Sequence, residues 1–223
     1  DSPAGRAAIA KQAEILYRLD QEGEAARRIE DLIASDRFDD LVRAAEVYQR
    51  LERYDEAIPI LERALVLEPQ STQAMFWLGA SYERSGRGTD AETVLQALLD
   101  IDPNHAPALN YLGYMWADQG ENLHQALGLV QQAVALEPDN GAYIDSLGWA
   151  HFQLGQYDEA QDYLERAARL VGDDATVLEH LGDLYVVLDQ PQQARDYYQR
   201  SLDLQGENAN QVKQKLDQLG GGR

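Results

Sequence analysis

Two ladders of small residues run through this chain in phase, and they restrict its fold more than any other feature. Ala25, Ala57, Ala91, Ala126, Ala160 and Ala194 follow one another at steps of 32, 34, 35, 34 and 34 residues. Ala45, Gly79, Gly113, Gly148 and Gly182 follow at 34, 34, 35 and 34. Small residues are needed where two helices cross closely, because neither can then present a bulky group. Apolar residues recur around them at helical spacing, as in Ile58, Leu61 and Leu65 or Tyr157, Leu164 and Ala168. Each such helix carries one apolar stripe, which only a neighbouring hairpin can cover.

Large residues keep the same phase. Leu78, Leu112, Leu147 and Leu181 stand just ahead of the glycines, and Tyr48, Tyr82, Trp116 and Tyr185 follow to fill the volume beside each crossing, with His151 in one unit. Gly86, Gly120 and Gly155 supply a helix stop inside hairpins. Between hairpins, Pro69, Pro103 and Pro138 block continuation, and Gly172 and Gly206 take that place in the last two units. Pro59 lies about a turn into its helix, where a slight bend is expected.

The expected fold is therefore all-α: a right-handed superhelical α-solenoid of six hairpins, near residues 5–35, 38–68, 71–102, 105–137, 140–171 and 174–205. A capping helix over 208–219, with Val212, Leu216 and Leu219 on one face, closes a single domain of residues 1–219, and 220–223 form a mobile tail.

Composition narrows the function. A net charge of −20 repels nucleic-acid phosphates, so DNA and RNA are poor partners. No stretch approaches the ~18 apolar residues of a membrane span, so direct insertion by this segment is not expected. A start at Asp1 rather than Met leaves room for a targeting segment ahead of it. With no cysteine, thiolate nucleophiles and cysteine-held metals are excluded. His105, His124, His151 and His180 stand singly, and no phosphate loop or nucleophile motif is present. Asp145 facing His180 across adjacent helices is the best catalytic constellation available, and a pair of that kind is more often a surface hydrogen bond. The chain is read as no enzyme, with no cofactor and no metal.

The run Ala74-Met75-Phe76-Trp77-Leu78-Gly79-Ala80-Ser81-Tyr82, followed by Ala91 and Pro103, resembles the tetratricopeptide repeat signature, and the likeness covers nearly the whole chain. Asn110-Tyr111-Leu112-Gly113-Tyr114 with Ala117-Asp118, and Asp145-Ser146-Leu147-Gly148-Trp149, are similar to repeats of bacterial cell-envelope lipoproteins that act as adaptors, including partners of carboxyl-terminal processing proteases. The resemblance implies a scaffold of the periplasm or outer membrane that presents substrates or a protease; a cytoplasmic adaptor is the alternative.

In a solenoid of this kind the first helix of each hairpin lines the concave side, where a peptide or protein partner would sit. Phe76, Asn110, Asp145 and Glu179 lie three residues before the small-residue slot, Tyr114, Trp149 and Asp183 one after it, and Glu83, Ala117, Asp118 and Phe152 about a turn later. Tyr114, Trp149 and Phe152 are either anchors for a guest or packed against neighbouring helices. From Gly88 to Glu165 there is no Lys or Arg, against 13 acidic residues. This suits a guest with basic and apolar groups, or serves only to keep the surface soluble. Asp145 and Glu179 would repel a C-terminal carboxylate, which excludes the carboxylate-gripping mode of some repeat proteins. The alternative to an adaptor is a self-assembling structural solenoid, or a fragment of a longer array.

Overall fold

The protein's structure, a computed structural model, describes residues 3–220, and every regular element among them is an α-helix. In chain order these are α1 (Pro3–Arg18), α2 (Glu22–Ile33), α3 (Phe38–Arg50), α4 (Tyr54–Leu67), α5 (Thr72–Arg84), α6 (Gly88–Ile101), α7 (Ala106–Gln119), α8 (Leu123–Leu136), α9 (Gly141–Gln153), α10 (Tyr157–Val171), α11 (Ala175–Val187), α12 (Pro191–Asp203) and α13 (Ala209–Gly220). They pair into the six expected hairpins plus the final helix. Gly220 ends α13, and residues 221–223 of the expected tail lie outside the described residues. The hairpins fall into two compact units, Asp1–Pro103 and Asn104–Arg223.

The ladders are the places where first and second helices touch. A Cβ on Gly79 would lie 2.8 Å from Leu95 Cγ, one on Gly113 2.6 Å from Val130 Cγ2, one on Gly148 2.7 Å from Leu164 Cγ, and one on Gly182 2.3 Å from Tyr198 Cε1. The alanines of the other ladder are fully buried. Backbones therefore approach where side chains are absent, and the second helix fills the space with a branched or aromatic group. The large residues then tie hairpin to hairpin. Tyr82 on α5 donates to Glu62 on α4 at 2.7 Å, and Tyr185 on α11 donates to Glu165 on α10 at 2.9 Å. Burial and the adjacent carboxylate push both phenols up to about 12.

Helix starts rest on side chains that the periodicity does not single out. Ser71, His105, Asn140 and Asp174 each accept from a backbone N–H of the first turn, satisfying donors that a helix leaves unpaired. Pro59 is exposed within α4, where it has no N–H to offer the carbonyl four residues before it.

The turn inside each hairpin needs one left-handed residue. Gly86, Gly120 and Gly155 hold it with φ of 76°, 71° and 73°, but Asp20, Glu52 and Asp189 occupy the same place elsewhere at 58°, 56° and 56°. A Cβ there is strained by about 1 kcal/mol. Glu52→Gly is expected to raise the stability of the first unit by about 0.5–1 kcal/mol, read as a rise in the urea midpoint. A fall would mean that the Glu52 side chain contributes more than its backbone strain removes.

Candidate functional site

In the second unit the first helices α7, α9 and α11 lie side by side, and their common face carries most of the candidate residues. The face is knitted by one recurring pairing: an acid on one first helix accepts from a donor on the next. Asp118 on α7 accepts from Trp149 Nε1 on α9 at 3.2 Å. Asp145 on α9 faces His180 on α11, whose Nδ1 lies 3.1 and 3.0 Å from the two carboxylate oxygens. Acceptors of this kind place the ring proton on Nδ1. Glu179 and Asp183 on α11 accept from Lys215 Nζ on α13 at 2.8 and 2.7 Å. The first unit follows the same pattern with different residues: Glu14 on α1 pairs with Arg50 on α3 at 3.0 Å, and Glu46 on α3 accepts from Gln73 on α5 at 3.3 Å.

Burial decides what these groups can do. His180 is enclosed; burial pushes its imidazole down, but the charge and hydrogen bond of Asp145 outweigh this and hold it above its ordinary value, helped by Asp183 and Glu179. Lys215 is likewise pushed down by burial and carried above the usual lysine range by hydrogen bonds to Asp183 and Glu179. Glu14 is held low by hydrogen bonds to Lys11 and Arg50 against the opposing effect of burial.

An aromatic row crosses the same face. The Trp149 indole is sandwiched, 4.1 Å from the His180 ring at 12° and 4.8 Å from Phe152 at 9°, with Tyr114 6.1 Å from His180. This corrects the expectation that Trp149 stands open to a guest: only 7% of it is exposed, because its two ring neighbours and Asp118 use both faces and the N–H. Ala117 is fully buried as well. It lies four residues after Gly113, so the helix turns it toward the same partner as that slot. Asp145 and Glu179 are buried and already paired, and so are not free acids awaiting a cation.

The other expected residues keep some access. Tyr114, Phe152, Asn110 and Asp183 are half-buried, and Asp118 is exposed; in the first unit Phe76 and Glu83 are half-buried. Asn110 Oδ1 is buried with no hydrogen-bond partner among the described residues. Beside Phe152 a hollow of about 420 Å³ opens between Asp183, Val186, Val187, Tyr198, Lys215, Gln218 and Leu219.

Lys215 is the residue of this arrangement that the repeat pattern did not single out. Its signal was available: Val212, Lys215, Leu216 and Leu219 follow the i, i+3, i+4, i+7 pattern of a single helix face, so the lysine points inward with the apolar residues. The Asp145–His180 pairing was expected as a surface hydrogen bond; the pair forms, but both side chains are buried. No group of three or more His, Cys, Asp or Glu side chains suited to a metal is found among the described residues. Nor is any described helix long and apolar enough to cross a membrane.

Sequence and structure comparisons locate this arrangement among known proteins. The tetratricopeptide repeat family matches over residues 42–106 and 82–141, and again over 141–207. No curated protein matches the chain. A thermophilic tetratricopeptide repeat protein of Thermus thermophilus, TTC0263, is 23% identical over 82% of this chain and 98% of its own, with a TM-score of 0.68. PilF of Pseudomonas aeruginosa is 21% identical over 82% and 88%, with a TM-score of 0.65. A tetratricopeptide repeat protein of Parabacteroides merdae is 15% identical over 99% and 86%, with a TM-score of 0.77. Likeness at these identities shows a shared fold, whereas the repeat matches together span residues 42–207 and show kinship: the chain belongs to the tetratricopeptide repeat family.

Proposed function

We propose that this chain is an adaptor that holds a basic and apolar segment of a partner protein on the first-helix face of its second unit. Tetratricopeptide repeats serve in general as protein–protein interaction scaffolds, and this fold is one of them. The observation that carries the finer reading is the aromatic row on α7 and α9, set in a stretch of chain that is acidic and free of Lys and Arg. Tyr114 and Phe152 retain exposed edges, Asp118 is open to water, and no Lys or Arg occurs from Gly88 to Glu165. Aromatic edges supply contact area at small entropic cost, and the negative field speeds the approach of a cationic segment.

The test is a capture experiment with wild type and a Tyr114→Ala, Asp118→Asn variant. The asparagine amide still offers an acceptor to Trp149, so the variant removes charge and contact area while keeping the buried stack. Partners held by the wild type are expected to bind the variant about tenfold more weakly. Their affinity for the wild type should fall about tenfold between low and high salt. Salt-independent binding, or equal capture by both proteins, would refute the acidic-face reading.

The repeat resemblance supports placing the adaptor in the bacterial envelope with a processing protease among its partners. Fractionation of cells and co-purification of a protease activity with the wild type test that part separately.

A further inference from the structure

We infer that α13, which packs on α12 and is ion-paired to α11 at the end of the partner-binding face, is exchangeable and holds the place of an external amphipathic helix that carries a lysine among apolar residues. The inference rests on the adaptor reading above and names the chemistry of its guest. Glu179 and Asp183 stand one turn apart on α11 with side chains only 7% and 15% exposed, so the pair requires a cation supplied at close range. That cation comes from α13. Asn208, just before the helix, also donates to Glu179, at 3.1 Å, and Arg195 bonds the Leu219 carbonyl.

The attachment is narrow. Val212 is the one buried residue of α13; Leu216 and Leu219 are half-buried, and Lys213, Gln214, Asp217 and Gln218 face water. A helix of 12 residues has little stability of its own and exists by virtue of its docking. Elements held by so few buried contacts open locally well before the global transition. Beside α13 the hollow lined by Phe152, Val186, Val187 and Leu219 is unfilled, and Val186 and Val187 are 41% and 45% exposed. The resident helix thus satisfies the acids and leaves the adjoining apolar surface open. A guest helix with a central lysine, apolar residues three before, one after and four after it, and one further large apolar group would satisfy both.

Hydrogen exchange on the full chain tests this, with a synthetic peptide spanning residues 207–220 as the probe. As α13 is tethered, it competes at an effective concentration of ~1 mM, and millimolar peptide is required. The peptide is expected to speed exchange of the α13 amides at least tenfold while those of α11 and α12 keep their protection. A peptide with the Lys215→Ala change should have no effect. In a Lys215→Ala chain, about tenfold less of the unmodified peptide should suffice. Unchanged α13 exchange in both chains, or equal action by the altered peptide, overturns the inference. So does loss of protection throughout α11 and α12, which would make α13 an inseparable part of the unit. Each of these results leaves the salt-dependent capture of a partner to stand or fall by its own experiment.

Discussion

Replacing Gly182 with alanine is expected to lower the stability of the second unit by about 2–3 kcal/mol, and replacing Gly128 with alanine to raise it by about 0.5–1 kcal/mol. Both glycines lie inside helices, so the intrinsic preference for alanine is the same in each. Their surroundings differ. At Gly182 the added carbon would sit 2.3 Å from Tyr198 Cε1 and 2.4 Å from its Cδ1, far inside contact distance. Tyr198 cannot swing away, because it is fully buried and its hydroxyl donates to Asp183 at 2.6 Å. Relief would require α11 and α12 to separate, loosening the cluster of Leu181, Leu184, Ala194 and Val212. At Gly128 nothing lies within 4 Å of the new carbon, so only the entropy of the unfolded chain changes. Urea unfolding of the two variants reads both effects. A shift of the same sign in both would show that the ladder glycines are not there to permit close approach.

The same contrast marks how far the fold could be read from the sequence. Ladders such as Gly79–Gly182 and Ala25–Ala194 were legible because close crossing tolerates few residue types, so the constraint is written at every repeat. Left-handed turn residues were legible only where glycine occupied them; Asp20, Glu52 and Asp189 take the same conformation under strain and leave no compositional mark. Capping by Asn140 and Asp174 was missed for a related reason, since short polar residues are common in every loop of the chain.

The candidate site was legible as a set of positions and less so as a set of free groups. Phe76, Asn110 and Tyr114 keep partial access at the predicted spacing, while Trp149, Asp145, Glu179 and Asp183 are spent on contacts within the protein. Trp149, Asp145 and Glu179 each find a partner about one repeat away, on the preceding first helix, the following one and α13 respectively. Spacing alone gives the face of a residue, whereas its partner depends on the register between helices, which small differences in crossing geometry decide. Much of the acidity between Gly88 and Glu165 that seemed available to a guest does stay in water, but the inner acids are matched by internal donors.

The Asp145→Asn variant is expected to reverse the pH dependence contributed by His180. In the wild type, burial opposes the imidazolium, yet Asp145, with Asp183 and Glu179, holds the folded pKa above its ordinary value of 6.5. A group raised on folding stabilises the native state fully below its unfolded pKa and loses that contribution as pH rises through the folded one. Wild-type stability from this site is therefore greatest near pH 6 and declines at higher pH. The asparagine variant can still accept from Nδ1 but has no charge, so burial, the largest influence on the ring, is left to act against the more distant Asp183 and Glu179. The folded pKa then falls below the unfolded one, and the contribution is present above pH 6.5 and lost on acidification. The substitution should cost about 2–3 kcal/mol near pH 6, where the wild-type pair is ionic, and clearly less near pH 8.5. Lys215 stays charged across this window, and Glu14 titrates below it. Urea midpoints measured at pH 6, 7 and 8.5 would converge as pH rises if the buried pair works as described, and parallel profiles for the two proteins would show that His180 is neutral in the native state throughout.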